Sequence, residues 1–258
     1  MNNTTLKIED RDGYTEIWLN RPEVRNAFND RMLDELIHVF DGLQTNATNK
    51  LIVLRGEGRV FSAGADLNWM AEAIHKNEQE NISESKKLHR CFKKFEQLPA
   101  LTVAFVHGKA IGGALGLAAA ADFVWVTPDV SVKFSEVQLG LVPATIAPFI
   151  MNRVGALQSR QWMLTAKLID AQELADSGFA DEIIEMQNID SKIQETLIML
   201  QHNSLTAMRV TKKLLADLIG RNNTESEENL TARVIAKART SEEARERMSK
   251  FLQKKNKQ

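Results

Sequence analysis

Between Gly108 and Asp122 the chain reads GKAIGGALGLAAAAD, fifteen residues that hold four glycines and six alanines. Glycine costs backbone entropy inside a helix or strand, so a run this poor in side chains belongs where something approaches the main chain closely. A membrane, another helix or a ligand would each account for it. Length excludes the membrane: only the twelve residues from Ala110 to Ala121 lack a charge, between Lys109 and Asp122, whereas a spanning helix needs about 20 apolar residues. Close helix packing and recognition of a ligand by the backbone both remain open.

The flanks of the run read as strands, LTVAFVHG at 101–108 and DFVWVTP at 122–128, with the small residues as a helix between them. Upstream, YTEIWLN at 14–20 alternates like a half-buried strand, and NRPEVRNAFND, with Pro22 and its asparagines, reads as a loop. Met32, Leu36, Val39, Phe40 and Leu43 then recur at helical spacing, and KLIVLRG forms a short apolar strand ending at Gly56. Repetition of strand, helix and strand predicts the α/β class. After about residue 190 the strand signals stop, and amphipathic segments such as SLTAMRVTKKLLADLI and SEEARERMSKFLQKK follow one another. We therefore expect a core over residues 1–195 and a helical C-terminal region over 196–258. With 43% of its 258 residues hydrophobic, the chain is long enough for one substantial core and a small appendage.

Charge narrows the partners. Lys and Arg number 33 against 34 Asp and Glu, a net charge of -1, which gives no electrostatic footprint for nucleic acid or an anionic membrane. The opening MNNTTLKIEDRDG lacks the basic and then apolar order of an export leader, so a cytoplasmic protein is expected. A lone Cys91 without a partner spacing predicts a reducing compartment and no structural zinc. His75, His89 and His107 have no metal-ligand spacing either.

Two segments share a layout of strand, small-residue loop and helix: KLIVLRGEGRVFSAGADLNWM, with Ala63, Gly64 and Ala65 before the helix, and LTVAFVHGKAIGGALGL. A helix start offers unpaired N–H groups that favour negative charge. Two such ends aimed at one point would form an oxyanion hole, which stabilises a thioester carbonyl as it becomes an enolate. Composition alone favours packing of helices through glycine and alanine. No dinucleotide GxGxxG and no phosphate-binding GxxxxGK[ST] motif occurs.

In order along the chain, NRPEVRNAFN, GRVFSAGADL, GKAIGGALGLAAAAD and FSEVQLGLVP resemble the motifs of the enoyl-CoA hydratase/isomerase (crotonase) family. The resemblance extends through AQELADSGFADEII and the helical tail. It implies a spiral of ββα units, a C-terminal helical trimerisation region, and homotrimers or hexamers. It also implies an acyl-CoA substrate, with coenzyme A as part of that substrate and no further cofactor. Carried over by position, the oxyanion donors are the amides of Ala65 and Gly113, and the catalytic carboxylate is Glu136. Arg25 and Ala27 match the loop at the CoA nucleotide, Ala63, Asp66 and Leu67 match the first oxyanion loop, and Phe251 matches a residue that reaches the CoA of a neighbouring subunit.

The sequence departs from the usual hydratase at two places. A second glutamate is expected three residues after the oxyanion glycine, and this chain has Gly116, counted here among the substrate contacts; the segment after Glu136 reads PATIAPFIM instead of a glycine-rich stretch. Both departures resemble the bacterial methylglutaconyl-CoA hydratase type of leucine catabolism, or its relative acting on carboxygeranoyl-CoA. A single glutamate also suits an enoyl-CoA isomerase, in which one base moves a proton between two carbons. A reading from another class is a non-catalytic or RNA-binding homologue, against which the neutral charge argues.

Overall fold

The computed structural model describes residues 4–45, 49–219 and 226–255. Its strands, in chain order, are β1 (Leu6–Arg11), β2 (Tyr14–Leu19), β3 (Leu51–Gly56), β4 (Leu101–Val106), β5 (Lys109–Ile111), β6 (Phe123–Val126), β7 (Ser131–Lys133), β8 (Ile169–Asp170) and β9 (Glu182–Ile183). Helices α1 (Asp30–Thr45), α2 (Leu67–Ala73), α3 (Glu78–Glu96), α4 (Gly113–Ala119), α5 (Ala147–Thr165), α6 (Ala171–Asp176) and α7 (Ile189–Leu200) connect and follow them. Contacts divide the chain into two compact units, Met1–Gln201 and His202–Gln258. The second consists of α8 (Leu205–Ile219), α9 (Glu227–Thr240) and α10 (Glu242–Lys255). Among the described residues no helix is long and apolar enough to cross a membrane.

The larger sheet has the order β1-β2-β3-β4-β6-β9, antiparallel only between β1 and β2. Parallel pairing requires crossovers that cover the sheet, and β3 accordingly has all six residues buried. From α1 come Met32, Leu33, Leu36 and Phe40, and from α3 Cys91, Phe92 and Phe95, with the Phe40 and Phe95 rings stacked at 5.1 Å. Glu35 shares the buried face of α1. Its carboxylate accepts from the amides of Thr4 and Thr5 and from the Thr5 hydroxyl at 2.7 Å. This ties the start of β1 to the helix.

The 101–108 segment is not one strand. β4 ends at Val106, and the chain passes through Gly108, at φ +60, into β5 of a second sheet with the order β5-β7-β8. A β-carbon at Gly108 would lie 2.2 Å from the Arg59 carbonyl oxygen. Only glycine allows the two loops to pass this closely. The division brings the small-residue run to a sheet of its own, beside the first small-residue loop.

Candidate active site

The loop Ala63–Gly64–Ala65 is held from two sides. On one side Phe28 forms an isolated parallel bridge with Ala65, donating to Gly64 O at 2.7 Å and accepting from Asp66 N at 2.8 Å. In a parallel bridge one residue uses both its main-chain groups and the residue opposite uses neither. The Ala65 N–H is therefore turned away from Phe28, and it meets no main-chain acceptor among the described residues. On the other side Ser62 bridges Ala110, donating to Lys109 O and accepting from Ile111 N, both at 3.2 Å.

The second loop turns at Gly112, with φ 55 and ψ -120, the N-cap of α4. Gly112 donates to Lys133 O at 3.0 Å, and its carbonyl accepts from Leu115 N at 2.9 Å. Gly113 is the first residue of α4, so its amide has no partner within the helix. A β-carbon there would meet only the Phe28 ring, at 3.8 Å. Phe28 thus touches both residues: its main chain orients Ala65 and its ring lies beside Gly113. The sequence places it in NAFN, where a phenylalanine carries no chemical label.

Glu136 opens a 3-10 turn, Glu136–Leu139, that follows β7. A β-carbon built on Gly112 would lie 3.0 Å from Glu136 Oε1 and 3.9 Å from Oε2, so the carboxylate stands over the turn that presents Gly113. Oε2 is buried and has no hydrogen-bond partner among the described residues. Burial pushes the carboxyl above its ordinary value, opposed only by a hydrogen bond from the residue's own amide. A carboxylate raised by desolvation, with one oxygen free of any fixed partner, is suited to exchanging a proton with a bound molecule.

Gly116, expected among the substrate contacts, is instead buried beneath two side chains: a β-carbon there would lie 2.4 Å from Ile146 Cγ2 and 2.9 Å from Phe92 Cε2. Arg25 is exposed at φ 56, and its carbonyl accepts from Ala63 N at 2.9 Å. Ala27 is buried, its carbonyl accepting from Arg21 Nη1 at 2.7 Å. Asp66 caps α2 through Asn68 N and pairs with Arg21 at 2.9 Å. Burial alone would raise its carboxyl, but those hydrogen bonds and the guanidinium hold it below the usual range. Its oxygens therefore already serve the loop. Leu67 is 81% exposed, and the side chain of Phe251 lies outside the described residues. Asn26 braces the loop from beneath: it sits buried at φ 54, and its amide nitrogen donates to the carbonyls of Glu57 at 2.8 Å and Val60 at 2.9 Å.

The profile of the enoyl-CoA hydratase/isomerase family matches residues 9–258. A Thermus thermophilus protein assigned as an enoyl-CoA hydratase is 31% identical over 204 residues, 79% of this chain and 81% of its own length. The bacillaene synthase dehydratase PksH of Bacillus subtilis is 29% identical over 212 residues, 82% of this chain and 78% of that one. The crystal structure of an enoyl-CoA hydratase from Shewanella pealeana matches with a TM-score of 0.91 and 32% identity, covering 97% of this chain and 94% of that one. The chain belongs to the enoyl-CoA hydratase/isomerase family and has its crotonase fold. It is an enzyme of that family, whose members are named for hydration and isomerisation.

Proposed function

We propose that the protein adds water to a 2-enoyl-CoA thioester, and removes it in reverse, with Glu136 as its acid/base. The observation that carries this reading is the buried, unpartnered Oε2 of Glu136 above the turn that presents the Gly113 amide. In this reading the amides of Ala65 and Gly113 receive the thioester oxygen as it gains enolate charge. Glu136 takes a proton from water as the oxygen bonds to C3, and the same carboxyl then delivers a proton to C2. One carboxylate suffices because the proton gained in the first step is the one given up in the second. Arg25, exposed and without an ion pair among the described residues, suits a phosphate of the CoA nucleotide. Ala27, Ala63, Asp66 and Leu67 border the path of the CoA, and coenzyme A enters as substrate with no further cofactor.

The PATIAPFIM segment and Gly116 support a branched acyl group of the methylglutaconyl type. Exposed Leu215, Ile235 and Met248 on the C-terminal helices support assembly of copies into a trimer or a dimer of trimers. A second reading, isomerisation of an enoyl-CoA, is favoured by the hydrocarbon that covers Gly116, where a second carboxylate would otherwise stand. The test is a panel of methylglutaconyl-CoA, crotonyl-CoA and a 3-enoyl-CoA, followed by absorbance and product mass. Gain of one water on a 2-enoyl thioester supports hydration. A shifted double bond at unchanged mass supports isomerisation, and no turnover on any member overturns both.

A further inference from the structure

Gly112 and Gly116 stand four residues apart on the small-residue run, and both spaces left by their missing side chains are filled from one downstream segment. At Gly112 the filler is the Glu136 carboxylate, with Oε1 3.0 Å from where a β-carbon would be. At Gly116 it is Ile146, whose Cγ2 and Cβ lie 2.4 and 2.8 Å from that point. Gly112 is the N-cap of α4 and Gly116 lies in its first turn. Glu136 and Ile146 therefore both rest on the start of α4.

Ile146 is also fixed in place. It is 2% exposed, it is the N-cap of α5, and its carbonyl accepts from the amides of Phe149 and Ile150, both at 3.1 Å. Phe92 flanks it at Gly116 and packs edge-on against Phe149 at 5.8 Å. Beside its chain neighbours Ala144 and Thr145 runs a groove of about 500 Å³ along α3, lined also by Ser85 and His89. Open volume thus begins at the residue before Ile146 in the chain.

We infer that Ile146 is a specificity-determining residue: seated on the bare backbone of Gly116, it limits the bulk of the acyl group beside Glu136 and keeps a second side chain off that face of α4. The inference rests on the reading of Glu136 as the acid/base. A β-carbon at 116 and the Ile146 side chain are mutually exclusive at the distances above, so a residue larger than glycine at 116 requires both Ile146 and Phe92 to move. Each methylene accommodated or refused by an apolar pocket changes discrimination by roughly 10- to 200-fold.

The experiment compares wild type, Ile146→Val and Ile146→Ala on crotonyl-CoA and the longer 2-hexenoyl-CoA, alongside binding of the unreactive butyryl-CoA and hexanoyl-CoA. We expect the hexenoyl to crotonyl ratio of kcat/KM to rise at least tenfold in Ile146→Ala and less in Ile146→Val, and the binding ratio to move the same way. Unchanged ratios in folded variants overturn the inference. If wild type binds both saturated thioesters and turns over neither unsaturated one, the acid/base reading fails, and the binding ratio alone judges Ile146. Melting of Gly116→Ala provides a second readout that does not require the Ile146 variants to fold. The substitution is expected to melt well below wild type, because its β-carbon would meet Ile146 Cγ2 and Cβ at 2.4 and 2.8 Å; a wild-type melting point overturns the seating.

Discussion

Gly64 and Ile111 touch through their backbones: a β-carbon on Gly64, which sits at φ +84, would lie 2.5 Å from the Ile111 carbonyl oxygen. The contact joins the loop bearing Ala65 to the strand that leads into Gly113, so the separation of the two amides is set there. Gly64→Ala is expected to cost more than the roughly 1–2 kcal/mol of a left-handed backbone alone, because Ile111 must also move. Both a lower melting temperature and more than a tenfold loss of turnover are expected. Wild-type turnover in a folded variant would show that the contact does not position the donors.

Gly113→Pro removes the amide hydrogen of interest and puts the ring Cδ in its place. Proline is favoured at the first position of a helix, and a β-carbon at 113 meets the Phe28 ring only at an ordinary 3.8 Å. The variant should fold and lose roughly 10²–10³ in turnover, the effect of deleting one oxyanion donor. Gly113→Ala keeps the N–H and should retain most activity. Equal rates in the two folded variants would remove residue 113 from the reaction.

Glu136→Gln is expected to lose roughly 10²–10⁴ in turnover while folding normally. The burial that raises the wild-type carboxyl above its ordinary value of 4.5 also fixes the sign of a stability effect. A raised acid binds more protons folded than unfolded, so wild type loses stability as pH climbs from 4.5 through the raised value. Glutamine has no proton to lose. The variant should therefore melt above wild type at neutral pH, the two converging in acid, and wild-type hydration should fall as Glu136 protonates on the acid side. Thermal melts at neutral pH and at about pH 4 check the first, and a pH–rate profile checks the second.

Glu35 carries the opposite sign. Burial alone would raise it, but the hydroxyl and amide of Thr5, the amide of Thr4 and the Arg31 guanidinium bring it down to about 2. Its stabilisation is present above the ordinary 4.5 and is lost as pH falls toward 2. Over that interval a buried carboxylate contributes roughly 3 kcal/mol. Glu35→Gln should lower stability at neutral pH by up to that amount and flatten the acid limb of the stability curve. Urea unfolding of both proteins across the acid range measures it, and parallel curves would refute the assignment.

The sequence shows β2, α1, β3, α2, β4, α4 and β6 of the first unit, because two-sided burial makes segments such as LIVLRG continuous apolar runs. It does not show that 101–106 and 109–111 lie in different sheets, since the cause is the approach of Arg59 to Gly108 from far upstream. Glu136, Ala65 and Gly113 can be proposed only through the resemblance of motifs, for the amides look like packing in composition and the bareness of Oε2 exists only in the folded chain. Asp66 matches a CoA-contacting position, yet Arg21 and the start of α2 already engage it. Phe28 and Ile146 are invisible in sequence: an aromatic and an aliphatic residue in apolar company announce only that they are buried.

The bridge from Phe28 has a practical consequence for anyone mapping this enzyme by mutation. Every residue except proline supplies a peptide N–H, and position 65 is already alanine. An alanine scan would therefore report nothing at Ala65 and little at Gly113, passing over both proposed donors. Its losses would gather at Phe28, Gly64 and Gly112, the residues that aim the peptide groups. A genetic map drawn that way would outline the scaffold and leave a blank at the proposed seat of the thioester.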